Sequence, residues 1–159
     1  MTESERIADQ MRRAIEGEAW HGPSLGEILE GVNAKQAAAK PIAAAHSIWE
    51  LTLHCAVWAN AARRRMGGER VKITPQEDWA AIRETSEAAW QRDRERSMAD
   101  LRGFADAIAK FDDARLFDKV LNQEGKPYSI WFMLHGVVQH TLYHAGQIAL
   151  LKKAVASDK

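Results

Sequence analysis

Histidine is the residue type that carries most of the chemical information in this chain, which has six histidines among 159 residues. His140 and His144 stand four residues apart. In a helix, positions four apart differ by only about 40° of rotation, so both rings would project from one face. Two imidazoles on one face can converge on a divalent cation, because a neutral imidazole nitrogen is a common metal ligand. In the alternative interpretation, each ring is separately solvated or hydrogen-bonded.

The residues around this pair favour a shared ion. The segment from Leu134 to Leu151 is largely apolar, and imidazoles buried in such a helix need partners. Tyr143 and Gln147 lie within about 60° of His140 on the same helical face. Their side chains could contact a substrate or bound water, and these are the candidate catalytic residues of this helix. The alternative is that they satisfy each other or a backbone carbonyl.

A second polar stripe runs along an alanine-rich segment earlier in the chain. Glu50 and His54 are four residues apart there and share a helical face. Taken alone, His54 is typical of a core histidine bonded to a neighbouring side chain. Glu50 is a candidate catalytic residue, since it could accept from the free ring nitrogen of a ligand histidine or carry a proton beside an open coordination position. Its alternative is an ordinary polar contact.

The other histidines and the single cysteine are expected outside the ligand set. His135 points well away from His140 in helical rotation, and His21 lies in a loop where it could line a pocket mouth. His46 is also left out. Cys55 is rotated by about 100° from its neighbour His54, so we expect a small core residue that points away from any ion.

Helical periodicity predicts the elements that must position these residues, and almost nothing is typical of a strand. Two short helical turns are expected around residues 28–29 and 36–39. Four long helices imply an all-α four-helix bundle, and no linker or repeat divides residues 1–159, so we expect one domain. The long helices are predicted from about Ser4 to Glu18, from Ala43 to about Met66, from a start between Thr74 and Thr85 to about Phe111, and from a cap at Ser129 to about Ala154.

Composition excludes several classes of function. Lys plus Arg and Asp plus Glu both number 22, so the formal net charge is zero and no long-range field would attract nucleic acid. No apolar stretch approaches the roughly 20 residues that a membrane span needs. A single cysteine cannot form an intrachain disulfide, and the charged N-terminal stretch lacks the apolar core of a signal peptide. We therefore expect a soluble cytoplasmic protein with a small-molecule substrate.

Two histidine-containing segments resemble the DinB/YfiT-like family of proposed metalloenzymes: residues 46–54, HSIWELTLH, and residues 135–148, HGVVQHTLYHAGQI. The segments WHGPSL at residues 20–25 and DW at residues 78–79 resemble one branch of that family, so the likeness covers most of the chain except its tails. The resemblance implies a four-helix bundle with a long crossover connection, a homodimer, and a metal site with His54, His140 and His144 as ligands. It gives no ground for expecting DNA binding.

The chemistry of such a site depends on which further ligand binds the metal ion beside the three histidines. Three neutral imidazoles leave a divalent ion with its full charge and an open coordination position, which is typical of catalytic sites. A bound low-molecular-weight thiol would become a nucleophilic thiolate, whereas bound water would reach a pKa of about 7 and supply hydroxide for a hydrolase. The resemblance favours thiol transfer, because family members of understood activity look like transferases or isomerases that use bacillithiol, mycothiol or glutathione. Zinc or nickel is the expected metal, and a non-catalytic metal-binding module is the remaining alternative.

Overall fold

Four long helices dominate the computed structural model, which describes residues 1–156. The predicted all-α four-helix bundle is confirmed. β1 (Lys119–Leu121) and β2 (Pro127–Ser129) are the only strands in the described residues, and they form an antiparallel hairpin. The helices are α1 (Glu3–Glu16), α2 (Leu25–Leu29), α3 (Ala34–Ala38), α4 (Ile48–Met66), α5 (Pro75–Asp78), α6 (Glu87–Ala109) and α7 (Ile130–Ala156).

The long helices pack so that α1 and α4 lie diagonally across the bundle, each against α6 and α7. The connection through α2 and α3 therefore crosses the bundle, as the family resemblance implies. Apolar side chains spaced three or four residues apart fill the interior. On α1, for example, Ile7, Met11 and Ile15 are fully buried. Trp49 and Trp90, from the first turns of α4 and α6, are also fully buried, with their ring centroids 5.2 Å apart.

The start of α4 corrects the predicted boundary at Ala43. Ser47 Oγ accepts from the backbone N–H of Glu50 at 3.2 Å, and the Glu50 carboxylate accepts from the backbone N–H of Ser47 at 2.7 Å. This reciprocal capping box satisfies two backbone donors that the first helical turn leaves free. The helix therefore begins at Ile48, and the residues before it form turns.

The third long helix also begins later than predicted. Ser86 caps α6, so the helix starts at Glu87, beyond the predicted range. Within that range the chain forms only α5, a single turn with a capping box at Thr74 and Pro75 at its first position. Proline is well suited to a first helical position, because its missing N–H would have no partner there.

The hairpin between α6 and α7 is a feature that the sequence did not predict. Asn122 holds its turn, since Asn122 Oδ1 accepts from the backbone N–H of Lys126 at 2.8 Å. Gly125 takes a φ of 84°, which side chains with a Cβ rarely adopt. β2 continues directly into α7, where Ser129, the predicted cap, accepts from the backbone N–H of Phe132 at 3.2 Å.

α7 is the longest helix and carries two of the candidate ligands. It contains 27 residues and packs on α1 and α4. Within residues 1–156, neither α7 nor any other helix joins sufficient length to sufficient apolar character to cross a membrane.

Candidate metal centre

Ring nitrogens of three histidines, from α4 and α7, meet between these two helices. Nε2 of His140 lies 3.0 Å from Nε2 of His54 and 3.1 Å from Nε2 of His144. The three potential ligand atoms all lie within 4.8 Å of one another. His54 and His144 are only 5% and 7% exposed. The structure thus brings together the three histidines that the sequence pattern and the resemblance single out.

Hydrogen bonds on the far side of two rings fix their tautomers. Nδ1 of His54 lies 2.8 Å from Oδ1 of Asp78 and 3.2 Å from the Asp78 backbone oxygen. Because both partners only accept, Nδ1 of a neutral His54 carries the proton and Nε2 presents a lone pair. Nδ1 of His144 lies 2.6 Å from Oε1 of Gln147, which selects the same tautomer. Two lone pairs therefore face Nε2 of His140, which can supply at most one proton, so the donor set fits a cation.

The three imidazoles are neutral at physiological pH. Burial, together with the neighbouring His144 and His54, lowers the pKa of His140 to about 3. Burial also lowers the pKa of His54, against the opposing effect of Asp78, and that of His144, against the opposing effect of Gln147. Neutral imidazole is the form that binds metals, and three such nitrogens suit a borderline divalent ion such as zinc or nickel.

Asp78 belongs to the candidate site, although the sequence pattern did not single it out as a partner of His54. It closes α5, and its Oδ1 accepts from Nε1 of Trp58 at 2.7 Å as well as from His54. Carboxylates that accept from the outer nitrogen of a ligand histidine orient the ring and raise its basicity. The sequence held a signal for this turn, because Thr74 and Glu77 have capping-box spacing immediately before Asp78.

An aromatic stack covers one face of His54. The Trp79 ring lies parallel to the His54 ring, with centroids 4.0 Å apart and an interplanar angle of 6°. The ring of His46 stacks against Trp79 in turn, at 3.4 Å and 2°. His46 therefore lies one ring away from the histidine cluster, outside the candidate ligand set as predicted, and Trp79 shields His54 from water.

Glu50 is engaged at the N-terminus of α4 instead of at a ligand histidine. Its carboxylate accepts from the backbone N–H of Ser47 and, at 2.9 Å, from Nζ of Lys40, and it lies 3.6 Å from Nδ1 of His46. Burial raises the pKa of Glu50, but the Ser47 N–H and the Lys40 ammonium outweigh it and hold that pKa below its usual value. The hydrogen bond that Glu50 was expected to accept from a ligand histidine is accepted by Asp78 at His54. Proton transfer by Glu50 stays a prediction.

Of the other candidate catalytic residues, Gln147 contacts a ligand histidine directly through the bond to His144. Tyr143 is 66% exposed, with its ring centroid 5.1 Å from that of His144. Contacts of either residue with a substrate stay predictions. Cys55 is fully buried in the core, and it lies outside the histidine cluster.

The two remaining histidines lie elsewhere on the molecule. His21 lines a separate surface cavity together with Trp20 and Leu142. The ring of His135 contacts Trp131, with centroids 4.4 Å apart, and its Nε2 lies 3.7 Å from the Glu3 carboxylate. Both placements agree with their predicted exclusion from the ligand set.

Two cavities reach the histidine cluster from different sides. One, of about 420 Å³, is lined by His54 and His140 and extends along α4 and α7 to the hairpin. The other, of about 490 Å³, is lined by His144, Trp79 and Gln147. The cluster is therefore accessible to small molecules from both cavities.

Comparison with known proteins agrees with this geometry. The model of the DinB superfamily matches residues 20–148, a range that holds all three clustered histidines and Asp78. No curated protein and no solved structure matches the chain significantly. The family match covers well over half of the sequence, and this chain belongs to the DinB superfamily.

Proposed function

We propose that this protein binds one divalent metal ion through His54, His140 and His144 and is an enzyme that activates a low-molecular-weight thiol for transfer to an electrophile. The observation that carries the proposal is the meeting of three neutral imidazole nitrogens, two of them held as lone-pair donors. When bound, the ion would lower the pKa of a thiol at an open coordination position, so that thiolate is available near neutral pH. We expect zinc, with nickel also compatible.

The surrounding side chains would orient the ligands and exclude water. Asp78 and Gln147 hold two rings through their Nδ1 atoms, and Trp79 covers one face of His54. Trp58 lines the 420 Å³ cavity beside the cluster. Two cavities on one centre would accommodate two reactants, which favours transfer between molecules over hydrolysis of a single substrate.

Metal content is the first test. Untagged protein, purified without added metal, is analysed for its elements, and we expect about one zinc or nickel ion per chain. His140→Ala should lose the ion. His135→Ala is the matched control, since His135 lies on the same helix outside the cluster, and it should retain the ion. A wild-type protein that takes up neither metal would contradict the proposal.

Thiol transfer is the second test. With 1-chloro-2,4-dinitrobenzene, the thiolate sulfur forms a bond to the ring carbon, the carbon–chlorine bond breaks, and chloride leaves with the electron pair while the thiol proton passes to solvent. Wild-type protein should accelerate this reaction with glutathione, bacillithiol or mycothiol, and His140→Ala should not. No acceleration with any of the three thiols would contradict transfer. Thiol-independent ester cleavage would instead indicate a hydrolase, and metal-dependent thermal stabilisation without turnover would indicate a binding module.

The expected homodimer belongs to the same proposal. Several large apolar side chains on the surface support it, among them Phe117 in the turn before the hairpin and Phe132 and Leu150 on α7. Light scattering coupled to size-exclusion chromatography measures the mass in solution, and a mass of one chain at micromolar concentration would exclude a stable dimer.

A further inference from the structure

We propose that the 420 Å³ cavity binds a molecule with a carboxylate at one end and an apolar body, with the carboxylate at Arg65 and the body extending toward the histidine cluster. We call this space the Arg65 cavity; it lies between α4, α7 and the hairpin. That the molecule is a substrate rests on the proposed function, whereas its binding at Arg65 does not. The lining includes His54, Trp58, Ala62, Arg65, Val137 and His140.

Arg65 is a buried cation without a negative partner. It is only 4% exposed, and within residues 1–156 no acidic side chain forms an ion pair with it. Arginine does not lose its proton in proteins, and a buried charge is costly unless it is paired. The Arg65 cavity thus has a positive end without an ion-pair partner in the described residues, since the Asp78 carboxylate, which also lines the cavity, lies at Trp58 and His54.

The hydrogen bonds of Arg65 also leave donor capacity unused. Its Nη atoms donate to three neutral oxygens: the backbone oxygen of Val71 at 2.8 Å, the hydroxyl of Tyr128 at 3.1 Å and Oε1 of Gln123 at 3.4 Å. A guanidinium carries five N–H groups, and the buried Nε has no partner in residues 1–156. The Trp58 ring, 5.7 Å from the guanidinium carbon, adds only a cation–π contact. A carboxylate would provide both the missing charge and further acceptors.

The shape of the Arg65 cavity determines where the rest of the molecule goes. His54, Trp58, Ala62 and Arg65 lie four, four and three residues apart on α4, so they share one face. At 1.5 Å per residue, His54 and Arg65 are separated by about 16 Å along the helix. Apolar side chains fill most of the lining between them. Opposite, a Cβ added to Gly136 would meet no atom within 4 Å, so α7 leaves open space there.

Calorimetric titration of the metal-loaded protein with octanoate and octanamide tests the proposal. The two probes are similar in size, but only octanoate carries a charge. We expect octanoate to bind at least about tenfold more tightly, because a hydrogen bond to a charged group contributes more than one between neutral groups. Equal affinity for the two probes would overturn the proposal.

Variants of the protein identify which charge is responsible for the preference for octanoate. Arg65→Gln should weaken octanoate binding by at least about tenfold while leaving octanamide almost unaffected. Arg64→Gln is the matched control, since Arg64 is exposed and paired with Glu69 at 2.6 Å, and it should bind octanoate like the wild type. Gly136→Leu, which fills the open space, should weaken both probes; if Arg65→Gln fails to fold, this variant and the comparison of the two probes on wild-type protein decide.

A carboxylate could also bind the metal ion directly. Chelator treatment therefore separates the contribution of Arg65 to octanoate binding from that of the ion. Octanoate affinity should survive removal of the metal from the wild-type protein. Binding that disappears with the ion, or that is the same in Arg65→Gln, would overturn the proposal. A protein that binds octanoate through Arg65 but takes up no metal would contradict only the proposed function, so the two failures are distinguishable.

Discussion

Nδ1 of His54 lies 2.8 Å from Oδ1 of Asp78 and 3.2 Å from the Asp78 backbone oxygen, although the two residues lie 24 positions apart in the chain. Asp78 belongs to a single helical turn, α5, that follows the end of α4 and returns to its side. Its Oδ1 also accepts from Nε1 of Trp58, one helical turn beyond His54. The Asp78 carboxylate therefore fixes both the tautomer of a candidate ligand and the wall of the cavity beside it.

Asp78→Ala should weaken metal binding by about 10–100-fold, because Nδ1 of His54 would keep only the backbone oxygen of residue 78 and would lose the carboxylate that raises the basicity of the ring. Competition with a chromophoric chelator measures the affinity. Asp93→Ala is the matched control, since Asp93 also accepts from a tryptophan, Nε1 of Trp49 at 3.0 Å, but lies outside the histidine cluster. Equal affinity in Asp78→Ala and wild-type protein would reduce this bond to a structural role.

The histidine pair of α7 was predictable because the spacing of His140 and His144 fixes a shared face in any helix. The helical periodicity that gave the bundle also placed His54 in a long helix. Helical rotation predicts which face a side chain lies on, but it does not show whether backbone N–H groups at the start of the helix bind that side chain instead. Glu50 lies on the expected face, but it is the third residue of α4 and is drawn into the capping box with Ser47.

Asp78 could not be predicted as the partner of His54, since its position depends on how the chain between α4 and α6 folds back. Local capping signals predict that α5 forms, but they do not specify which long helix it contacts. Arg65 is the last of three consecutive arginines in the final turn of α4, a position where basic residues are typical of an exposed helix end, as Arg64 is. The burial of Arg65 arises from the hairpin, whose Tyr128 and Gln123 contact it, and this segment carries no clear strand pattern.

Cys55 should be unreactive in the folded protein. Its side chain is fully buried, and burial raises the pKa of the thiol to about 12. At pH 8 the thiolate fraction would be about 10³-fold lower than that of an ordinary cysteine, so iodoacetamide should label native protein far more slowly than denatured protein. Cys55→Ser should keep the full metal content, and loss of the ion would contradict the orientation of α4.

Asp113 should make stability depend on pH in the acid range. Its carboxylate accepts from the backbone N–H groups of Glu3 at 2.7 Å and Ser4 at 2.9 Å, so it closes the first turn of α1. Hydrogen bonds from Ser4, and then from Glu3, lower the pKa of Asp113 below its usual 3.8. A carboxyl group whose pKa is lowered by folding stabilises the folded state in full when the pH is above its usual pKa. This contribution is lost as the pH falls through the lowered pKa.

Asp113→Asn should therefore lower the melting temperature at pH 7, and its difference from the wild type should shrink below about pH 4. Thermal unfolding followed by circular dichroism measures both. Asp106→Asn, which removes an exposed ion pair with Arg12, should have little effect at either pH. A wild-type advantage over Asp113→Asn that is unchanged at low pH would contradict the assigned origin.

Two glycine-to-alanine substitutions should change the free energy of unfolding in opposite directions. A Cβ on Gly26 would lie 2.8 Å from the backbone oxygen of Ile15, where α2 meets the end of α1. A backbone oxygen cannot move aside as a flexible side chain can, so Gly26→Ala should lower the free energy of unfolding by about 1–3 kcal/mol. Gly146 lies on the exposed face of α7 with no atom within 4 Å of an added Cβ, and Gly146→Ala should raise that free energy by about 0.5–1 kcal/mol. Urea unfolding measures both, and a Gly26→Ala protein as stable as the wild type would mean that α1 and α2 do not approach this closely.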